Sequence, residues 1–315
     1  MRHWRRTTAL LVATFLAGCG AKGGDGAANI LNVGSQKGGT KSLMIASGAL
    51  NGAPYKVSWS EFPAAQTLLE AIGSGAVDTG LAGDAPFQFA YQSGSPVRAI
   101  GAMTSPDRPA ETLAIVVPKG STARGIADLK GKTITTTRGS IGHYLALRAL
   151  SQAGLPADAV RFVFLAPGDA KAAFDSGSVD AWAIWVPYLT VALREHGRVI
   201  VDSKDFPKTY GFDVASDKAI ATKRTMLVDF IRREGVALAW AQSHKPEYAA
   251  TLAKETGLPL DIATITADKN GRLSVPITKD VVLAQREVAE QFAKSGALKE
   301  SRPVDEAYEK AFQGE

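Results

Sequence analysis

Groups that carry covalent chemistry are scarce in this chain. One cysteine, Cys19, occurs in 315 residues, which excludes an internal disulfide framework and any site built from several thiolates. There are four histidines, and no two stand at the HExxH spacing that would hold zinc on one helix face. A GxSxG nucleophile elbow is also missing. Gly131-Lys132-Thr133 looks like the end of a phosphate-binding loop, but Ile126 stands where its first glycine should be. The tripeptide also opens a strand rather than a helix, so it reads as a turn. His196 and His244 fall at predicted helix ends, where a solvated role is expected. Beyond the N-terminus no stretch is long and apolar enough to span a bilayer, which takes about 20 residues.

The N-terminus itself carries an address. Arg2, Arg5 and Arg6 precede the apolar run from Ala9 to Leu16, and small residues follow. This is the order of a secretory signal. Leu16-Ala17-Gly18-Cys19 resembles the bacterial lipobox, in which the cysteine is lipidated and becomes the first mature residue. An ordinary signal peptide with a chance cysteine is the alternative, and Arg5-Arg6 fits twin-arginine export poorly. Residues 1–18 are thus expected to be a lipoprotein signal peptide. Cleavage would remove three of the 36 basic residues and none of the 31 acids. That leaves 33 against 31, too even a balance to argue for nucleic acid. Residues 19–29, rich in glycine, read as a flexible tether.

From Ile30 short β-rich runs alternate with helical patterns, the mark of an α/β fold with mostly parallel strands. The length suits two lobes of ~100–200 residues. Ten strands are expected, from Leu31–Gly34 to Phe212–Ala215, with an almost wholly helical tail after them. Four junctions repeat one plan of strand, glycine-containing turn and helix start. They are Gly34 to Thr40, Gly83 to Pro86, Arg138 to His143 and Pro167 to Asp169. In open parallel sheets ligands sit at the carboxyl ends of the strands, where such turns gather. A helix start presents unpaired N–H groups and a partial positive charge, which suits an anion. Ser, Thr and Asp at such places also serve as plain helix caps.

The run FLAPGDAKAAFDSGSVDAWAIWVPY (164–188) resembles the aliphatic-sulfonate-binding proteins of bacterial ABC importers, in the wider group of taurine and nitrate binders. NVGSQKGGTKSL (32–43), the 57–97 segment with its GDxP turn, and DLKGKTITTTRGSIGHYLALRALSQAGL (128–155) match in order. The resemblance implies a two-lobed periplasmic-binding-protein fold (type II), with two mixed sheets flanked by helices and a hinge between lobes. Lobe I is expected to span 30–118 plus 218–315, and lobe II 119–217, with crossings near Pro118 and Ser216. Carried over by motif, the ligand-binding residues are Ser35, Gln36, Lys37, Thr40, Gly83, Asp84, Arg138, Ser140, His143, Trp182 and Trp185. Asp84 would repel an anion, so it reads as a cap, an orienter of a donor, or a partner for an amine. Alternation in Ala181-Trp182-Ala183-Ile184-Trp185 leaves core packing open for Trp182.

Val186 stands where the family often has an acid; Gly38-Gly39 and Tyr210-Gly211-Phe212 also depart from its pattern. The resemblance implies a non-enzymatic receptor without cofactor or metal, capturing a small sulfonate-like anion. Taurine, nitrate, an aromatic acid or a vitamin precursor is the alternative solute. The expected partners are an ABC permease and its ATPase, and the membrane through the lipid on Cys19. The receptor is expected to be a monomer outside the cell membrane or in the periplasm. Gly20 after the cysteine leans, by family analogy, toward outer-membrane sorting. A pyridoxal-phosphate enzyme of the same fold that makes the thiamine pyrimidine uses clustered cysteines, which this chain does not have.

Overall fold

A computed structural model describes residues 29–299, 301–309 and 312. The signal segment, Cys19 and the tether up to residue 28 lie outside the described residues. In chain order the first elements are β1 (Ile30–Gln36), α1 (Thr40–Ser47), β2 (Lys56–Phe62), α2 (Ala65–Gly73), β3 (Thr79–Gly83), α3 (Asp84–Gln92) and β4 (Val97–Thr104). Next come β5 (Leu113–Pro118), β6 (Thr133–Thr136), α4 (Ile141–Gln152), β7 (Arg161–Phe164), α5 (Pro167–Asp175), β8 (Ala181–Trp185), α6 (Tyr188–Glu195) and β9 (Gly197–Asp202). The chain continues through β10 (Gly211–Ser216), α7 (Asp217–Ser243), α8 (Lys245–Thr256), α9 (Leu260–Lys269), β11 (Leu273–Val275) and α10 (Lys279–Lys294).

The strands form two mixed sheets, ordered β11-β4-β10-β3-β1-β2 and β7-β6-β8-β5-β9. In the first, β1, β2 and β3 run parallel, and β10 runs antiparallel to β3 and β4. In the second, β6, β7 and β8 run parallel, and β5 opposes β8 and β9. Buried residues fill both faces of each sheet: Ile115 and Val117 of β5 join one cluster, Ala114 and Val116 the other. A strand buried on both faces reads as a near-continuous apolar run, as Leu113–Val117 does.

Sheet membership corrects the expected crossings. β5 belongs to the second sheet and β10 to the first, so the chain changes sheets at 105–112 and 203–210, each one strand upstream of Pro118 and Ser216. Alternation marks a strand but not which sheet it joins. The signal lay in the connections: Pro106, Pro109 and Pro207 among charged residues make poor strand or helix. The tail also departs from the all-helical expectation. β11 pairs antiparallel with β4, placing Leu273 opposite Thr104. α9 fills a stretch with no expected element. Among the described residues after α10, Val304–Ala307 form only a short 3-10 turn.

Local chemistry sets the helix starts that matter. Ser140 caps α4 by accepting from His143 N, and Ser216 caps α7 by accepting from Ala219 N. α7 begins at Asp217, directly after β10. It is kinked at Lys223, whose Nζ is 2.9 Å from Ile30 O and 2.7 Å from Asp78 Oδ2. α10 reaches from one lobe to the other. Its Phe292 packs at ring-centroid distances of 5.4 Å from Phe89 of α3 and 5.5 Å from His143 of α4.

Candidate functional site

β1 and β3 end side by side in the first sheet, delivering Gln36 and then Gly83-Asp84 to one edge of a cleft. Across it the start of α4 presents Ser140 and Ile141, and β8 ends on Trp185. The two connections between sheets close the hinge side with Ser105, Arg108 and Thr112 from the first and Ser203, Lys204, Pro207, Lys208, Thr209 and Tyr210 from the second. Together they enclose a cavity of about 160 Å³, to which α9 and its C-terminal turn add Lys269 and Arg272.

Five of the eleven expected site residues, Gln36, Gly83, Asp84, Ser140 and Trp185, line this cavity. Gln36 Nε2 donates to Leu81 O at 2.8 Å, which fixes its amide at the cleft edge. Asp84 is 2% exposed. Its Oδ1 accepts from Ala85 N at 2.8 Å and its Oδ2 from Tyr210 N at 3.1 Å, so it fastens the second connection to the start of α3. Burial pushes its pKa up to about 6 against those bonds. Ser140 Oγ accepts from His143 N at 3.1 Å and lies 3.1 Å from Thr136 Oγ1, whose own proton goes to Ala183 O. The Ser140 proton therefore serves Thr136, and what α4 offers the cleft is the free N–H groups of its first turn. Gly142 permits that turn to lie on β8, since a Cβ there would stand 2.5 Å from Ala183 O.

The other six expected residues are not among the cavity's lining. Ser35 is buried, accepting from Lys41 N at 3.1 Å. Lys37 is exposed. Thr40 donates to Glu234 Oε1 at 2.8 Å, away from the cleft. Arg138 is exposed and lays its guanidinium 3.9 Å above the Phe164 ring. His143 is 1% exposed among Phe162, Phe164 and Phe292, with Nδ1 accepting from Gly139 N. Burial, with Arg138 nearby, lowers its pKa to about 4, so it is neutral at ordinary pH. Trp182 is 1% exposed beside Phe174 in the core of the second lobe.

Sequence reading missed the cleft's electrostatic character. Arg108, Lys204, Lys208, Lys269 and Arg272 line the cavity against one acid, Asp84. Two of these cations are tied to backbone: Arg108 donates to Lys204 O at 2.7 Å, and Lys269 to Ala110 O at 2.6 Å. The half-buried Arg272 guanidinium makes no hydrogen bond or ion pair with another described residue. Burial pulls its pKa below the usual arginine value, while Tyr248, and after it Glu234 and Asp84, act on it in the opposite sense. Gln66, in the first turn of α2, has both amide atoms buried without a protein partner, and Ser105 Oγ is likewise unpaired. Nothing in the motifs marked Gln66 or Arg272. Among the described residues no group of three or more His, Cys, Asp and Glu could hold a metal, and no helix is long and apolar enough to cross a membrane.

Comparison with known proteins agrees with this architecture of two mixed sheets. Residues 57–245 match the NMT1/THI5 like family. The chain belongs to that family. It is 35% identical over 267 residues to a protein of Escherichia coli (strain K12) named as aliphatic sulfonates-binding, covering 83% of each chain. Among solved structures, the alkanesulfonate-binding protein of Xanthomonas axonopodis pv. citri bound to MOPS superposes with a TM-score of 0.82 at 30% identity, over 89% of this chain and 98% of that one. The periplasmic aliphatic sulphonate binding protein of Escherichia coli gives 0.78 at 32% identity, over 89% and 97%. The chain shares with these solved structures the periplasmic-binding-protein fold of two mixed sheets flanked by helices, as the resemblance of the motifs implied.

Proposed function

We propose that this protein is the solute receptor of an ABC importer and holds an aliphatic sulfonate in the cleft between its sheets. The observation that carries the reading is the Arg272 guanidinium, set in the cleft wall without an ion pair to any described residue. A sulfonate is a tetrahedral monoanion with three acceptor oxygens. It calls for several donors and no base, and Arg272, Gln66, Ser105 and the first turn of α4 supply them. Trp185, Tyr210, Pro86 and Leu113 wall the cavity where a carbon chain would run. Glu111 pairs with Lys269 at 3.3 Å, which leaves four further cations against one carboxyl, and the cleft favours a net-negative solute over a zwitterion such as taurine. Binding occurs without turnover, and the lobes close on the solute by bending at 105–112 and 203–210. The receptor is delivered outside the cell membrane, anchored there through lipid on Cys19, and hands its solute to the permease.

Thermal shift with a panel of solutes tests the assignment. Alkanesulfonates are expected to raise the melting temperature more than taurine, nitrate or aromatic carboxylates at equal concentration. A larger shift with taurine or nitrate, or none with any sulfonate, overturns it.

A further inference from the structure

Behind the cleft, between α7 and the first sheet, two carboxyl groups are buried together. Asp213 of β10 is 4% exposed and Glu234 of α7 is 1% exposed. The sheet makes room for the first: Gly101 stands opposite Asp213 on β4, and a Cβ there would lie 2.6 Å from Asp213 Oδ2. Glu234 Oε1 accepts the Thr40 hydroxyl at 2.8 Å, at the first residue of α1. Glu234 Oε2 is buried and finds no donor among the described residues. The neighbouring group is the Asp213 carboxyl, which can serve only if it carries a proton. Two unprotonated carboxylates side by side in so dry a place would repel each other and leave Oε2 unpaired.

We propose that Asp213 and Glu234 share one proton and act as positioning residues for the anion site, anchoring the start of α1 through Thr40 and setting the field at Arg272. The titratable groups facing the pair are Arg272, just ahead of β11, and Tyr248 of α8; Thr40 and Gly101 face it from α1 and β4 without charge. Burial and mutual repulsion raise the pKa of Asp213, and burial raises that of Glu234. Loss of the shared proton places a second negative charge behind Arg272. That charge competes with a bound sulfonate for the guanidinium. A sulfonate does not itself titrate near neutrality, so affinity is set by the protein and falls as the proton leaves. Asp84 lies on the cleft and contributes a separate step near its own pKa of about 6.

The proton is tested without ligand by infrared spectroscopy at pH 7.5, where Asp84 is mostly ionised. The full chain should show the C=O stretch of a protonated carboxylic acid, lost in Asp213→Asn. The absence of that band, or its survival in Asp213→Asn, overturns the pair. The consequence for binding rests on the proposed function. The dissociation constant for ethanesulfonate, measured from pH 6.5 to pH 9.5, should rise on the order of tenfold more in the wild type than in Asp213→Asn, whose amide keeps a donor for Glu234 without a titrating proton. Glu234→Gln keeps an acceptor for Thr40 and should flatten the profile too. Equal slopes in all three overturn the positioning role. Failure of ethanesulfonate to bind at any pH, with the infrared band present, overturns the proposed solute and leaves the pair standing.

Discussion

Replacing Arg272 by methionine separates what the cleft needs for binding from what the fold needs for stability. Methionine keeps an unbranched apolar stem and removes only the charge and the donors. The guanidinium is half-buried with no ion pair among the described residues, so its desolvation is opposed only through space, by Tyr248 and then by Glu234 and Asp84. A charged group held without its own partner contributes little to folding and commonly opposes it. With a sulfonate bound, the same group donates to an anion, and a hydrogen bond to a charged partner is worth about 1.5–3 kcal/mol. Arg272→Met should therefore weaken alkanesulfonate binding by roughly 10- to 150-fold, since each 1.4 kcal/mol is about a factor of ten. The melting temperature without ligand should stay level or rise. Titration calorimetry with ethanesulfonate and a thermal melt of the same preparation read both numbers. A drop of several degrees with unchanged affinity would refute the reasoning, because Arg272 would then be a structural cation.

Acid should loosen the protein through His143. Its folded pKa of about 4 lies below the ordinary value near 6.5, so the fold prefers the neutral ring. The stability this lends is present above pH 6.5 and is lost as pH falls toward 4, amounting to about 3 kcal/mol at 1.36 kcal/mol per pH unit. Thermal melts between pH 4 and 7 should show that slope in the wild type and a shallower one in His143→Gln; parallel curves would mean the ring is not the source. At the N-terminus, Cys19→Ser should move the protein from the membrane fraction to the soluble fraction of cells, and an unchanged distribution would remove the lipid anchor.

Strands were largely legible because their signal is local. All ten expected strands form, and their bounds shift by no more than two residues, since alternation and apolar runs such as Leu113–Val117 follow from burial alone. What failed depends on partners far away in sequence. Leu273-Ser274-Val275 is too short to announce itself, and it becomes a strand only because β4 extends to Thr104 and offers an edge. α9 buries Ile262, Ala263, Thr266 and Ala267, which is helical spacing. Its alternating Ile and Thr carry weak helix propensity and hid it.

The candidate site divides along the same physical line. Strand ends bring Gln36, Gly83 and Trp185 to the cleft because β-strand direction fixes where they point. The donors that drew attention to the turns behave otherwise. Ser35, Thr40, Ser140 and His143 all find protein partners, as short polar side chains beside a helix start usually do. A group already satisfied by the fold has little left for a ligand. Among the residues lining the cavity, Gln66 and Ser105 hold buried polar atoms without a protein partner and Arg272 has no ion pair with a described residue, and each gains its place from the cleft rather than from a local motif. A receptor that must release its solute cannot satisfy those groups internally, because closure would then gain no contacts that differ between the open and closed states. Unspent polarity gathered in one cavity, more than donor-rich sequence, is what recommends this cleft as the binding site.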